Sequence, residues 1–519
     1  TYTPEIVPVT PTATPAETTD IQGATQKGKP EFKGGTVTVD GVEKTVPINE
    51  DVPATFDDGS TTKTVEGVGK FTVAADGTVT FVPEKSFVGT APAVTVVRED
   101  KNGTKASATY TPTVTPVKPT ATPAETTDIQ GATQTGKPEF TEGDSRVPIN
   151  EDVPATFEDG STTKTIPGEG TYTVAPDGTV TFVPEKSFTG TGTGVTVKRV
   201  DKNGTPVTAK YTPTVLPATP TATPAETTDI QGALQKGLPQ FLGGRVSVDG
   251  VQKIVPIDET KPLELIDPST GKVTNEIVVP GEGTYTVYNG VVEFRPEPQF
   301  VGKAKGVTVQ RVDVNGTPVS TTYTPNVTPV TPTAEPAETT DIQGKEQNGK
   351  PEFKPGNPEV PMDDKVPATF EDGSTEKVIP GERTYTVSPD GTVTFTPEKN
   401  FTGKGTGVTV KRVDKNGTEV TATYTPTVTK VTPTSTDATS NGIQGQPQKG
   451  TPTFTEGNPV VPIDDTKPMT FEDGSKIKKV PNVGEYSINS DGSITFTPEK
   501  QYVGTPDPVT VKRVDKNGT

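Results

Sequence analysis

Residues 171–182 read Thr-Tyr-Thr-Val-Ala-Pro-Asp-Gly-Thr-Val-Thr-Phe. In this stretch Tyr, Val, Val and Phe alternate with polar residues, chiefly Thr, on either side of a central Pro-Asp-Gly. A period of two places apolar side chains on one face of a strand and hydroxyls on the other, and Pro-Asp-Gly is typical of a tight turn. The stretch therefore predicts a β-hairpin with one buried face and one face exposed to water.

A second hairpin is predicted a little further along the chain. Its strands are expected at 195–197 and 207–211, and its turn at 201–204, where Asn-Gly is the strongest short-range signal for a two-residue loop. Shorter strands are expected around Ile129 and at 147–149, 155–157 and 163–166. Seven or eight short strands per hundred residues, without helical periodicity, predict an all-β fold, a small antiparallel β-sandwich.

The same sequence pattern occurs five times along the chain. Ile-Gln-Gly begins at Ile21, Ile129, Ile230, Ile342 and Ile443, so successive copies lie 108, 101, 112 and 101 residues apart. A period near 100 residues is too long for a solenoid coil and matches an independently folded domain. We therefore expect a tandem, elongated beads-on-a-string array with repeat domains at 10–117, 118–218, 219–330, 331–431 and 432–519.

The repeats differ in length for a local reason. The first and third carry seven extra residues between Ile-Gln-Gly and the following Val-Pro-Ile. The added text at 36–42 and 246–251 alternates Val around Asp-Gly, which predicts a lengthened β-ribbon. Between repeats, segments such as 112–123 have closely spaced Pro residues, and we expect them to be extended, stiff linkers.

The two ends of the chain fall inside repeated text, so we expect the chain to be a fragment. Residues 1–9 match the C-terminal strand of a preceding repeat. The domain at 432–519 has no counterpart of 419–431, which includes the last strand. We expect this domain either to be frayed or to have its gap filled by the N-terminal strand of another copy, in a head-to-tail contact.

The composition narrows the possible functions. The 519 residues include no Cys, no His and no Trp, which excludes Ser-His-Asp and Cys-His nucleophiles, the usual structural zinc sites and disulfides. The formal net charge of −18 predicts no nucleic-acid partner. No run of about 18 apolar residues occurs, which predicts no membrane insertion. Because apolar residues make up only 28%, disorder of individual repeats stays open as an alternative.

Two groups of acidic residues are candidate sites. The phrases at 157–161 and 370–374 could supply oxygen ligands to calcium, but Asp-Gly is also what a tight turn requires. Glu185 and Asp177 could form the carboxylate pair of a glycosidase, yet both recur in other repeats at turn positions.

Aromatic and basic residues give two further candidates. Phe157, Tyr172, Phe182 and Phe188 could stack sugars, but they return in the fourth repeat inside the same apolar alternation, which favours core packing. Lys198, Arg199 and Lys202 could dock an anionic partner or form a solvated strand end. An isopeptide crosslink between Lys and Asn or Asp stays open, with no pair singled out. We therefore predict no enzymatic activity, no cofactor and no catalytic or metal-binding residue, and we assign no ligand-binding residue.

Two phrases carry a resemblance to a known family. They are Val-Thr-Val-Lys-Arg-Val-Asp-Lys-Asn-Gly-Thr at 195–205 and Thr-Val-Thr-Phe-Val-Pro-Glu-Lys-Ser-Phe at 179–188. With a repeat near 101 residues and no Cys, they make essentially the whole chain similar to the CshA-type fibril repeats of streptococcal surface adhesins. The third repeat departs most, since Leu-Glu-Leu-Ile-Asp-Pro at 263–268 replaces Phe-Glu-Asp-Gly.

The resemblance implies a role in cell adhesion as part of an extracellular, cell wall-anchored fibril. In such a fibril the repeats are a structural stalk, and a distal region outside this chain binds host fibronectin and other cells. We expect adjacent repeats of the same chain to be the direct partners. The alternative is a set of multivalent binding modules, each with weak affinity for a host protein or glycan.

Overall fold

The structure is a computed structural model and describes all residues from 1 to 519. It contains β-strands and no helix. The chain divides into two compact units, Thr1–Thr223 with Gln240–Leu263 and Gln310–Thr321, and Pro224–Pro239 with Glu264–Val309 and Thr322–Thr519. The first unit holds the first two repeats and the second unit holds the last two. The third repeat is divided between them.

The second repeat, in the first unit, has the basic set of strands without insertions. Its strands are Thr120–Thr122, Ala124–Ile129, Gln134–Gly136, Glu139–Thr141, Thr156–Phe157, Thr163–Ile166, Gly170–Val174, Val180–Pro184, Gly190–Thr191, Val195–Val200 and Pro206–Leu216. Both predicted hairpins are confirmed. The expected two-residue Asn-Gly loop of the second hairpin is wrong, because Val200 pairs with Pro206 and leaves 201–205 as the loop, in which Gly204 but not Asn203 has a positive φ. We call Ala124–Ile129 the N-strand and Pro206–Leu216 the C-strand, and use the same names for their equivalents in other repeats.

Two sheets make up this repeat. The five-stranded sheet has the order N-strand, C-strand, Val195–Val200 and Thr156–Phe157, with Gly190–Thr191 also paired to the C-strand. The four-stranded sheet has the order Gln134–Gly136, Val180–Pro184, Gly170–Val174 and Thr163–Ile166. The predicted β-sandwich is thus confirmed. One pairing is not antiparallel: the N-strand runs parallel to the C-strand, from Ala124 opposite Tyr211 to Ile129 opposite Leu216.

The core lies between the two sheets and is apolar where the alternation predicts. Tyr172 stacks on Phe182 with ring centroids 4.5 Å apart, and it meets Tyr211 edge-on at 6.3 Å. Burying each such side chain stabilises the fold by about 1.5–3 kcal/mol. The buried cluster consists of Ala155, Phe157, Tyr172, Val174, Val180, Phe182, Val195, Val197, Tyr211 and Val215.

A chain of hydrogen bonds ties the N-strand to this core. The Tyr211 hydroxyl lies 2.7 Å from Thr126 Oγ1, and Thr126 Oγ1 donates to Gln134 Oε1 at 2.6 Å. Gln134 Nε2 donates to the carbonyl of Thr214 at 2.9 Å. Gly136 lies against the tyrosine ring, where a Cβ would be 2.3 Å from Cε2 of Tyr211, so no larger residue fits.

The same framework recurs in the other repeats. The parallel pairs are Ala16–Ile21 with Lys105–Thr115, Ala225–Ile230 with Pro318–Thr328, and Ala337–Ile342 with Glu419–Thr429. The added text of the first and third repeats forms the predicted ribbons, Gly35–Val39 with Val42–Val46 and Gly244–Val248 with Val251–Val255. Asp40 and Gly41 both have positive φ, at 50° and 75°, as a type I′ turn requires.

The expected linker at 112–123 is wrong in most of its length. Lys105–Thr115 and Thr120–Thr122 are strands, which leaves only 116–119 between them. Pro112 fits inside the C-strand because its carbonyl accepts from Ala91, on the side away from the N-strand. Its missing N–H therefore removes no bond between the N-strand and the C-strand.

The two ends of the chain are less regular. Residues 1–9 form no strand. The fifth repeat keeps its four-stranded sheet, but its second sheet consists only of Thr470–Phe471 and Val511–Lys512, and residues 437–447 form no strand. Its strands are Thr434–Thr436, Gln448–Gly450, Thr453–Thr455, Thr470–Phe471, Ile477–Val480, Gly484–Ile488, Ile494–Pro498 and Val511–Lys512.

Candidate functional site at the junctions between repeats

The turn of the second hairpin is held rigidly. Asp201 is fully buried, and its Oδ1 accepts the backbone amides of Asn203 at 2.9 Å and Thr205 at 2.8 Å. Gly204 closes the turn with a φ of 85°, which glycine adopts without steric cost. The turn therefore presents the Asn203 side chain in a fixed position.

Gln22 comes directly after the N-strand of the first repeat. Its backbone amide donates to the Thr115 carbonyl at 2.8 Å and continues the ladder with the C-strand. Its Nε2 donates to the Lys85 carbonyl at 2.8 Å, and its Oε1 accepts the amide of Val117 at 3.2 Å. Because Gln22 is buried and these groups are occupied, its main-chain carbonyl needs a donor from elsewhere.

Asn203 of the second repeat supplies that donor. Its Nδ2 donates to the Gln22 carbonyl at 2.9 Å. The phrases Ile-Gln-Gly and Asn-Gly-Thr therefore meet where two repeats join. The bond recurs at three further junctions, each inside one of the two units: Asn315 to Gln130 at 3.0 Å, Asn416 to Gln231 at 2.8 Å, and Asn517 to Gln343 at 2.6 Å.

The glycine of Ile-Gln-Gly is required twice over. Gly23 has a φ of 82°, a conformation that residues with a Cβ rarely adopt. A Cβ on Gly23 would also lie 2.2 Å from Oδ1 of Asn203. The equivalent distances at Gly131, Gly232 and Gly344 are 2.3, 2.3 and 2.2 Å. Close approach of the two phrases thus depends on the absence of a side chain here.

Around this shared contact the junctions differ. Between the first and second repeats, Arg146 Nη1 lies 2.9 Å from Asp20 Oδ1. Between the second and third, Lys253 Nζ lies 2.6 Å from Asp128 Oδ1. Ion pairs at the surface contribute about 0–1 kcal/mol, so the Asn–Gln bond is the common element and the ion pairs are local additions. The second and third repeats also share an apolar cluster of Ile129, Ala218 and Val255.

The acidic phrases proposed for calcium are engaged in turns. Asp159 Oδ1 accepts the Ser161 hydroxyl at 2.6 Å and its amide at 2.9 Å. These hydrogen bonds hold the pKa of Asp159 below its ordinary value. Asp372 and Ser374 repeat the arrangement. No group of three or more acidic residues in the structure is placed to hold a metal ion.

The structure does not bring Glu185 and Asp177 together. Asp177 lies in the turn of the first hairpin, and Glu185 comes directly after the second strand at the open end, so the two carboxylates belong to separate turns. Glu185 Oε1 accepts the amide of Gly168 at 2.9 Å. Asp177 accepts from Lys137 Nζ at 2.8 Å, and this hydrogen bond lowers the pKa of Asp177 well below its usual range.

The aromatic candidates lie in the core. Phe157, Tyr172 and Phe182 are at most 2% exposed, and Phe188 packs half-buried against the same cluster. Burial, reinforced by the hydrogen bond to the Glu169 carboxylate, raises the pKa of Tyr172 above its ordinary range. Phe157, Tyr172 and Phe182 therefore present no exposed face for sugar stacking.

The basic candidates are mostly paired. Arg199 is buried and its Nη2 lies 3.0 Å from Glu151 Oε2. Lys202 Nζ lies 2.6 Å from Asp152 Oδ2. Lys198 lies in a strand opposite Thr156. The local acids therefore offset two of the three positive charges.

Sequence reasoning used Ile-Gln-Gly as a marker of the repeat and Asn-Gly as a turn, and it missed that the two make one site. Gln22 and Asn203 are 181 residues apart, so neither phrase by itself indicates its partner. The available signal was a Gln beside a Gly at every copy, in a position that the strand alternation does not explain.

Comparison with known proteins finds one matching family. A family model described as the surface adhesin CshA repetitive domain matches residues 8–114, 116–215, 217–327, 329–428 and 430–519. Comparison with curated proteins finds no match. No helix in the structure is long and apolar enough to cross a membrane.

Several solved tandem-domain structures are similar at low identity. The protocadherin gamma B4 extracellular domain is 10% identical, with 97% of this chain and 82% of that chain covered and a TM-score of 0.30. The tetra-tandem repeat in the extending region of a large adhesion protein is 18% identical, with 81% and 99% covered and a TM-score of 0.23. Likenesses at these TM-scores carry no inference about this chain.

Proposed function

The chain belongs to the family of the surface adhesin CshA repetitive domain, and from this premise we propose that it is a structural stalk. In this proposal the stalk projects a distal host-binding region away from a Gram-positive cell wall to which the whole protein is anchored. Repeats of a surface adhesin act outside the cell. The distal region would bind host matrix such as fibronectin, and the repeats would supply spacing.

The observation that carries the proposal is the junction contact. A spacer needs each repeat to be held against the next, and the Asn–Gln bond does this at every junction with the same atoms. In the first unit the donor is at a turn whose backbone is pinned by the buried Asp201. A neutral hydrogen bond contributes about 0.5–1.5 kcal/mol, and the glycine leaves room for the asparagine side chain, which a Cβ would displace.

The rival function, multivalent binding, would need an exposed patch that recurs in each repeat. Among strongly exposed aromatic side chains are Tyr2 and Tyr288, which do not occupy equivalent positions. Val82 and Val183 are equivalent and about half exposed, but the fourth and fifth repeats carry Thr396 and Thr497 there. The surface therefore supports a spacer better than a repeated binding face.

A binding experiment separates the two functions. The fragment is immobilised and challenged with fibronectin and with saliva-coated particles, alongside a shorter fragment holding the first two repeats. The proposal predicts no binding by either fragment. Saturable binding whose apparent affinity rises with the number of repeats would support the multivalent rival and overturn the stalk.

A distance measurement tests the junction itself. The chain has no Cys, so Thr64→Cys and Thr165→Cys, at exposed equivalent positions of the first two repeats, can carry a pair of spin labels. We expect Asn203→Ala to broaden the label-to-label distance distribution. Asn102→Ala is the matched control, because Asn102 occupies the same turn position in the first repeat and its exposed side chain has no partner. Equal distributions in both variants would show that the junction bond does not hold the repeats.

A further inference from the structure

In each of the first four repeats the parallel pair joins the strand at the start of the repeat to the strand at its end. In the second repeat six residue pairs connect Ala124–Ile129 to the second half of Pro206–Leu216. The first, third and fourth repeats have the same six-pair ladder. Every other strand pairing recorded in these repeats is antiparallel.

The direction of this pair decides how a pulling force acts on it. The chain reaches the second repeat at Ala124, opposite Tyr211, and leaves it at Leu216, opposite Ile129. Tension on the two ends therefore pulls the N-strand and the C-strand in opposite directions along their length. The hydrogen bonds of a parallel pair are evenly spaced and run between the strands at a slant, so sliding one strand along the other loads all the bonds of the ladder together. A force across a pair would instead open one bond at a time.

We propose that each pair of N-strand and C-strand is a tension clamp, and that these repeats bear tensile force along the chain. Spacing alone needs no such resistance, so the inference goes beyond the proposed stalk. A stalk whose repeats unfold under small forces would still be a stalk, so the two ideas fail separately. The clamp would respond to pulling force alone, and the proposal calls for no bound ligand or cofactor.

Further hydrogen bonds extend the ladder of the clamp and add side-chain contacts between its two strands. Beyond the last pair of the first repeat, the Gln22 amide donates to Thr115, and the Val117 amide donates to Gln22 Oε1. Within the ladder Thr115 Oγ1 donates to the carbonyl of Asp20 at 3.2 Å. The Gln22 carbonyl, at the end of this extension, accepts Asn203 of the next repeat. The neighbouring repeat therefore closes the end from which the ladder would begin to slide.

The fifth repeat supplies a reference inside the same chain. Residues 437–447 form no strand, and Val511–Lys512 pairs only with Thr470–Phe471, so this repeat has no parallel pair. Its four-stranded sheet is retained. A pull on the full chain thus compares four clamped repeats with one unclamped repeat under identical conditions.

The test is single-molecule force spectroscopy on the full chain held by its two ends. Forced unfolding reports the unfolding rate rather than equilibrium stability. We expect two classes of event, four at high force and one at low force. A single class in which all unfolding events occur at one low force would overturn the proposal.

Two proline variants of the fourth repeat test whether the ladder is responsible. The Gln343 amide donates to Thr429, and since amides alternate in direction along a strand, Asp341 faces the C-strand and Thr340 faces away. Asp341→Pro removes a clamp bond, whereas Thr340→Pro removes an outward N–H from an edge strand, where proline is tolerated. We expect Asp341→Pro to move one event from the high-force class to the low-force class and Thr340→Pro to leave four high-force events.

Equal changes in the two variants would overturn the role of the ladder. If Asp341→Pro prevents the fourth repeat from folding, that event disappears instead of shifting. The two classes in the unmodified chain and the Thr340→Pro result then still decide the proposal.

Discussion

Asn203 in the second repeat donates its side-chain amide to the main-chain carbonyl of Gln22 in the first repeat across 2.9 Å. Gln22 also continues the ladder between the N-strand and the C-strand. One residue therefore belongs both to the fold of its own repeat and to the junction with the next. Loss of the Asn203 side chain should therefore destabilise mainly the first repeat, at the end of its parallel pair.

The glycine of the junction should be irreplaceable for a reason beyond its backbone angle. Gly131 and Gly160 have similar φ values of 80° and 86°, so Ala at either position costs about 1–3 kcal/mol of backbone strain. A Cβ at Gly131 would also lie 2.3 Å from Oδ1 of Asn315, whereas a Cβ at Gly160 meets nothing within 4 Å. We expect Gly131→Ala, but not Gly160→Ala, to shift the NMR signals of the Asn315 side-chain amide. Unchanged Asn315 signals in both variants would contradict this reading of the junction.

The reactivity of Asn-Gly should report which junctions are formed. Deamidation requires the nitrogen of the following Gly to attack the side-chain amide carbon, with loss of ammonia. In the second hairpin of the first two repeats the glycine amides make the same hydrogen bond: Gly103 donates to the Asp100 carbonyl and Gly204 to the Asp201 carbonyl, both at 2.9 Å. Only the Asn side chains differ, because Asn102 is exposed and Asn203 is bonded to the neighbouring repeat.

We therefore expect Asn102 to deamidate faster than Asn203 during incubation at mildly alkaline pH. Mass spectrometry of proteolytic peptides measures both sites in one sample. After Gln22 and Asn203 are separated by unfolding in urea, the two rates should become similar. Equal rates in the folded chain would mean that the junction opens readily.

Acid should weaken the turn of the first hairpin in the fourth repeat. The hydrogen bond from Lys350, together with the amide of Thr392, lowers the pKa of Asp390 from 3.8 to about 2. A carboxyl with a depressed pKa stabilises the fold fully above its unfolded value, and this contribution is lost as the pH falls from about 4 to about 2. Both side chains are more than half exposed, so the effect at neutral pH should stay below about 1 kcal/mol.

NMR titration of the Asp390 carboxyl checks this directly. Lys350→Leu copies the third repeat, which has Leu238 in place of the lysine, and should raise the pKa of Asp390 towards 3.8. Asp390→Asn should remove the acid sensitivity of this turn. An Asp390 that titrates near 3.8 in the unmodified chain would refute the assignment.

Removal of the Glu169 carboxylate alone should destabilise the second repeat more than its removal together with the groups that donate hydrogen bonds to it. Its buried carboxylate accepts the Tyr172 hydroxyl, the Thr193 amide at 2.9 Å and the Thr193 hydroxyl at 2.8 Å. Glu169→Val alone leaves the buried Tyr172 hydroxyl without its acceptor, at a cost of about 1–3 kcal/mol, and also removes the acceptor of the two Thr193 donors, which lie at an exposed residue. Thermal unfolding of the fragment measures the loss.

The first repeat shows how the chain itself removes this site. There Val68, Phe71 and Pro92 stand at the positions of Glu169, Tyr172 and Thr193, so the acceptor and all three donors are absent together. The first repeat also has Ala91 and Ala93 at the positions of Gly192 and Gly194. We therefore expect the variant that copies all five residues, Glu169→Val with Tyr172→Phe, Gly192→Ala, Thr193→Pro and Gly194→Ala, to recover most of the stability lost by Glu169→Val alone. Simple addition of the single effects would show that these residues do not act as one unit.

The hairpins of this fold can be predicted from the sequence. Residues 171–182 predict their hairpin because the alternation and the Pro-Asp-Gly turn are both short-range. The ribbon at Asp40 and Gly41 is predictable for the same reason. The family follows from phrases that recur in every repeat with a few substitutions, and the match over all five repeats confirms it.

The junction resisted prediction because each half has a sufficient local explanation. Asn203 is accounted for by its turn, and Gly23 by its positive φ. The linker at 112–123 was misassigned because Pro112 suggested an interruption, whereas its carbonyl shows that it sits in the strand with its nitrogen turned away from the N-strand.

Short-range pattern accounts for the two hairpins and the buried rings, because each depends on residues within a few positions of one another, and comparison of the sequence with itself gives the fivefold repetition. Folding in three dimensions was needed to pair Ala124–Ile129 in parallel with the end of Pro206–Leu216, and to bring Asn203 to Gln22. These contacts join segments that are far apart in the chain, and their geometry exists only once both sheets have closed around the core.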